Sequence, residues 1–135
     1  TIFIFIGHGG DKQWRDLPEI IRQHGYVPIY YESEVRAGYT ITENLQKMLD
    51  EADIAIIVHT AEDETLDGKI QARQNVIHEA GLFQGRLGFK RAIIVLENGC
   101  EEYSNIHGME QLRFDKGHSE SIVWKINQVI KREFP

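Results

Sequence analysis

The sequence predicts an α/β domain built on a five-stranded parallel sheet, strand order 2-1-3-4-5, with helices on both faces. Three observations predict it. The runs Ile2-Phe3-Ile4-Phe5-Ile6 and Ile54-Ala55-Ile56-Ile57-Val58 are β-rich and apolar at every position, as in strands buried on both faces. Amphipathic stretches with apolar residues at helical spacing separate such runs. Strands alternating with helices make βαβ units, and right-handed crossovers in a series of this length favour that order.

The first run ends in Gly7-His8-Gly9-Gly10. Lys12 to His24 then carries Trp14, Leu17, Ile20 and Ile21 at helical spacing. Pro18 shortens or kinks this stretch and Gly25 marks its end. Val27 to Tyr31 is the second strand, and Glu32 to Tyr39 a polar loop. Thr40 or Thr42 caps a helix through Asp50 whose buried side is Ile41, Leu45, Met48 and Leu49. Asp53 to His59 is the third strand, and Thr60 to Ile70 an acidic loop. Gln71 to Leu87 is helical, stopping at Gly88. Ala92 to Leu96 is the fourth strand, Asn98 to Glu110 a long polar connection, and Leu112 to Phe114 a short edge strand. Ser119 or Ser121 opens a last helix carrying Ile122, Val123, Ile126, Val129 and Ile130.

A chain of 135 residues fits one domain. Its start at Thr1, inside an apolar run, reads as a domain cut from a longer protein, although loss of an initiator Met would look the same. The longest apolar runs are far below the about 18 residues that span a bilayer, so no membrane partner is expected. The formal charge of −6 and the lack of a Lys/Arg run disfavour nucleic acid. The single cysteine, Cys100, excludes an internal disulfide and fits a reducing cytoplasm. No His/Cys set has zinc spacing: His78-Glu79 begins like a zinc-protease helix, but position 82 is Leu. No metal is expected.

In a sheet of this kind ligands bind beyond the carboxyl ends of the strands. The helix starting near Gln71 opens on that rim, and Asn75 and Glu79 are four apart on one face of it. Glu79 sits among Val76, Ile77, Ala80, Leu82 and Phe83. A carboxylate there is either on the solvent stripe or partly buried and functional. The string Arg73-Gln-Asn-Val-Ile-His-Glu79-Ala-Gly-Leu-Phe-Gln-Gly-Arg-Leu-Gly88, and the opening Ile-Phe-Ile-Gly-His-Gly, resemble a bacterial TIR-like family of predicted nucleotide-binding proteins. The likeness runs from Ile2 to about Lys131. It implies a flavodoxin-like TIR fold and an NAD⁺ glycohydrolase with Glu79 as the catalytic residue. NAD⁺ would be the substrate, with no further cofactor. The resemblance further implies anti-phage defence, self-association through TIR–TIR contacts, and a fused sensor domain that binds a cyclic nucleotide. Arg73 and Asn75 would orient Glu79 or contact ribose and phosphates.

One carboxylate suffices for this chemistry. Hydrolysis of an O-glycoside uses a second acid to protonate the leaving oxygen. Nicotinamide departs neutral from a cationic ring and needs no proton. The carboxylate can then stabilise the ribosyl cation, hold the 2′-hydroxyl or attack C1′.

Other loops supply lesser candidates. Gly7 and Gly9 let backbone N–H groups approach a diphosphate, although such a loop is more often a simple tight turn. Lys12 stands where a Rossmann motif has its third glycine. Many TIR NADases carry a basic residue in this loop, and His8 would substitute for it. Glu32 to Tyr39 occupies the place of the TIR BB loop, and Tyr39 or Tyr31 offers a ring to nicotinamide or adenine. Asp63 offers a contact to a ribose hydroxyl, against the ordinary reading of Glu62-Asp63-Glu64 and Asp67 as a solvated loop. His59 ends a central strand near the rim, where packing is its commoner role. Two other functions share the frame: a non-catalytic self-association module and a nucleoside deoxyribosyltransferase-like enzyme. A phospho-receiver fits poorly, because His59-Thr60 stand where its acceptor Asp belongs.

Overall fold

The computed structural model describes residues 1–31, 38, 40–104 and 106–135, with the side chain of Ile41 excluded. The expectations for Tyr39 and the body of the BB-like loop, and for Ile41 on the buried side of its helix, lie outside the described residues.

In chain order the elements are β1 (Phe3–Gly7), α1 (Leu17–Gln23), β2 (Val27–Ile29), α2 (Ile41–Glu51), β3 (Ile54–His59), β4 (Asp63–Glu64), β5 (Ile70–Gln71), α3 (Gln74–Leu87), β6 (Ala92–Glu97), β7 (Leu112–Phe114) and α4 (Val123–Glu133). The main sheet is parallel with order β2-β1-β3-β6-β7. This is the predicted 2-1-3-4-5 arrangement, with β6 and β7 as its fourth and fifth strands. All six residues of β3 are buried, as its unbroken apolar run requires.

Alternation along the strands sorts the core into two layers. Phe5, Ile57, Ile94 and Leu96 face Met48 of α2 and Val76, Ala80 and Phe83 of α3. Ile4, Ile6, Ile56 and Val95 face Leu17 and Ile21 of α1 and Ile126 and Ile130 of α4. Phe5 stacks on Phe83 with ring centroids 4.2 Å apart, locking α3 against β1 directly beneath the rim.

Four boundaries differ from expectation. The first helix begins at Leu17 rather than Lys12. Pro18 sits in its first turn, where a missing N–H costs nothing, and Lys12–Asp16 form turns that still bury Trp14. The acidic loop is a hairpin: Asp63 pairs with Gln71 and Glu64 with Ile70 in an antiparallel ladder. That pairing takes Gln71 out of α3, which starts at Gln74. Ser119 does not cap the last helix. Its Oγ donates to Gln13 O at 2.6 Å, and a 3₁₀ turn, Ser119–Ile122, precedes α4. The second strand stops at Ile29 instead of Tyr31. No helix among the described residues is long and apolar enough to cross a membrane.

Thr40 makes a capping box with Glu43: its Oγ1 accepts the Glu43 N–H at 3.1 Å, and the Glu43 carboxylate accepts the Thr40 N–H at 3.4 Å. Thr40→Ala is expected to cost about 1 kcal/mol in urea unfolding. An unchanged midpoint would show that the box contributes nothing.

Candidate active site at the carboxyl rim of the sheet

Gly7 ends β1 at the carboxyl rim, and α3 starts at the same rim and runs back along the sheet. Glu79 lies one and a half turns into α3, on the side that packs against β1 and β3. The residue is buried, 4% exposed, so the solvent-stripe placement does not hold. A methyl group at Gly7 would lie 3.1 Å from Glu79 Oε1, from Ile57 Cδ1 and from Phe5 Cε2. The carboxyl therefore packs closely against the bare Cα of Gly7, where a side chain would crowd it. Glu79 Oε1 is shielded from solvent and has no hydrogen-bond partner among the described residues. Desolvation lifts the Glu79 carboxyl from 4.5 to about 8. At neutral pH this burial favours the protonated form.

The other predicted residues on α3 face the same loop. Asn75 Nδ2 donates to His8 O at 3.3 Å, tying Gly7–Asp11 to the start of α3. The His8 ring stacks on Trp14 at 3.7 Å between centroids and 12° between planes. Its Nδ1 is 2.9 Å from Gly9 O. Arg73, half exposed at the head of α3, reaches Asp63 Oδ1 at 3.0 Å and Glu62 Oε1 at 3.8 Å through Nε. Gly7, His8, Gly9, Asp63, Arg73, Asn75 and Glu79 thus form one continuous patch around the carboxyl end of β1. Tyr39 falls outside the described residues.

Glu62 departs from the solvated-loop expectation. Its side chain is 9% exposed. Oε1 accepts the Asp11 N–H at 2.8 Å and Oε2 accepts the Thr60 hydroxyl at 2.9 Å. Nothing local distinguishes it from Asp63 or Glu64, so sequence reasoning passed over it. Trp14 was expected only as a core face; its contact with His8 required the fold.

His59 is a packed core group. Nδ1 faces two carbonyls, Ile57 O at 2.9 Å and Val95 O at 3.2 Å, so this nitrogen carries the proton. Nε2 then accepts the Tyr103 hydroxyl at 2.5 Å. Desolvation holds its pKa below the usual imidazole value, keeping it neutral. Cys100 is also buried, and burial pushes its thiol up to about 11, the opposite of an activated nucleophile. Among the described residues no group of three or more His, Cys, Asp or Glu side chains could hold a metal ion.

A parallel 2-1-3-4-5 type sheet with helices on both faces, and a buried acid on the helix that follows the third sheet strand, define a flavodoxin-like domain of the TIR class. The model of the CAP12/Pycsar effector protein TIR domain matches residues 3–116, and the chain belongs to that family. Pycsar effector protein PaPycTIR of Pseudomonas aeruginosa is 32% identical over 100 residues, covering 70% of this chain and 32% of that protein. CD-NTase-associated protein 12 of Niabella drilacis is 28% identical over 136 residues, covering 93% of this chain and 44% of that protein. Uncharacterized protein YuaY of Escherichia coli is 26% identical over 119 residues, covering 84% of this chain and 40% of that protein. The chain thus spans less than half the length of these curated relatives.

Proposed function

We propose that this domain hydrolyses the bond between nicotinamide and ribose in NAD⁺, with Glu79 as the catalytic carboxylate. Water adds to C1′, the N-glycosidic bond breaks, and the products are nicotinamide, ADP-ribose and one proton. A cyclic ADP-ribose forms instead if a ring nitrogen of the adenine replaces water. The observation that carries the reading is the Glu79 carboxyl, packed closely against Gly7 at the carboxyl rim with one oxygen unpartnered.

An acid held protonated when the site is empty suits a cationic substrate. A positive nicotinamide ribosyl group beside Glu79 favours its ionised form, so binding releases a proton and creates the anion where positive charge grows in the transition state. No acid is needed for the leaving group. Asn75 and the Gly7–Gly9 backbone would hold the ribose and diphosphate, and Arg73 would exchange Asp63 for phosphate. Family membership supports a wider role as a defence effector against phage. In it, a fused sensor domain responding to a cyclic nucleotide drives TIR–TIR association, which completes the site in the cytoplasm.

The shielding of Glu79 Oε1 from solvent weighs against catalysis, and the alternative that the fold then leaves is a non-catalytic self-association module. Incubation with NAD⁺ at high protein concentration, with products separated by chromatography, decides between them. Nicotinamide is expected, rising more than proportionally with protein concentration. Its absence across the whole concentration range would leave the self-association reading.

A further inference from the structure

The Gly7–Asp11 loop is secured from two sides. From α3, Asn75 holds His8 O. From the segment after β3, Glu62 takes the Asp11 amide on one carboxylate oxygen and the Thr60 hydroxyl on the other, with Arg73 Nε at 3.8 Å. Gly9 lies directly over this carboxylate. A methyl group at Gly9 would run into Glu62 Oε2 and come within 3.1 Å of Arg73 Cγ, and one at Gly10 would stand 3.2 Å from Glu62 Oε1. Glycine at position 9 thus leaves open the space that the Glu62 carboxylate fills, before any diphosphate approaches.

We propose that Glu62 is a positioning residue of this site: its carboxylate, received into the space over Gly9, ties the loop that follows Gly7 beside Glu79 and places a negative charge near Arg73 at the mouth, where Asp63 pairs with it more closely. The geometry supports this division of labour. Glu62 is nearly enclosed, bridges segments 51 residues apart, and engages both oxygens, one with the loop and one with the residue after β3, beside Arg73 at the head of α3. Glu79 keeps one oxygen unpartnered. One acid builds the site and the other is left for the ligand. Shortening or removing the Glu62 side chain frees the Asp11 amide and lets the loop beyond Gly7, from His8 to Asp11, shift relative to the start of α3 and the Glu79 carboxyl. The inference deepens the NAD⁺ reading and rests on it only for the kinetic comparison below.

Two measurements need no catalysis. Hydrogen exchange at the Asp11 amide, followed by NMR, should be slow in the native protein and clearly faster in Glu62→Ala. Gly9→Ala should lower Tm in the native background and cost much less in the Glu62→Ala background, because the clash has gone. Glu62→Asp, which keeps the charge and shortens the reach, serves the same comparison if Glu62→Ala does not fold. In NAD⁺ hydrolysis, Glu62→Ala should lower kcat on the order of tenfold, as expected for a displaced loop. Glu62→Gln, which keeps an acceptor for Asp11 and can donate to Thr60, should recover most of kcat and the slow exchange. Unchanged Asp11 exchange in a folded Glu62→Ala or Glu62→Asp protein, together with an undiminished cost of Gly9→Ala there, would overturn the proposal. A native protein that releases no nicotinamide would instead count against the NAD⁺ reading, while the exchange and Tm results still decide the role of Glu62.

Discussion

Glu79→Gln is expected to reduce nicotinamide release on the order of 10³-fold or more, with the fold intact. Glutamine fills the same volume and resembles the protonated carboxyl that the empty site already holds, so packing against Gly7, Ile57 and Phe5 is preserved. What disappears is the ability to become an anion beside the ribosyl cation. Removing one preorganised electrostatic partner typically costs 10²–10³ in rate, and a group that also holds or attacks the sugar costs more. Each tenfold loss corresponds to about 1.36 kcal/mol of transition-state stabilisation. Initial rates of nicotinamide release, measured at the protein concentration where the native domain is active, give the comparison. Turnover as fast as native would remove Glu79 from the mechanism. In the native enzyme kcat/KM should rise with pH towards about 8, because only the minority of molecules with ionised Glu79 meet the substrate ready for reaction.

The second large effect is on stability. Glu79 titrates at 4.5 when exposed and at about 8 when buried in the fold. Between these values the folded state keeps a proton that the unfolded state has lost, so stability falls as pH rises through this window. Below 4.5 both states are protonated and the group makes no difference. Above about 8 the folded state must ionise a buried carboxyl, and the full penalty, on the order of several kcal/mol, is present. Glu79→Gln has no such titration. Its urea midpoint should therefore decline less than the native one from pH 5 to pH 8 and exceed it clearly at pH 8. His59, held neutral by burial, acts in the opposite direction, destabilising the fold as pH drops below 6.5. That effect is common to both proteins and cancels in the difference. Parallel curves for native and variant would mean that Glu79 is hydrated in solution.

The strands were legible from the residues because their signal is local. A parallel strand covered on both faces must be apolar at consecutive positions, and β1, β3 and β6 are. β7 was found as a short run after a polar connection, and its edge position follows from coming last in the series. The start of α3 was misplaced because it depends on Asp63 pairing with Gln71, and a ladder between two-residue strands leaves almost no pattern in sequence. Glu79 was singled out by its place in a recognisable string; the residues around it left both solvent and interior open.

The sequence by itself determined the layer architecture, the strand order and the helix that carries Glu79, since each follows from periodicity over neighbouring residues and the short reach of βα connections. Only the tertiary structure decided which carboxyl is sealed and which is tied. Glu79 is buried with its carboxyl close against Gly7, at the end of a strand more than seventy positions earlier, and Glu62 is held by an amide on a distant loop. Burial and hydrogen bonding at these acids are pairwise properties of segments far apart in the chain, and those contacts exist only once the sheet has assembled.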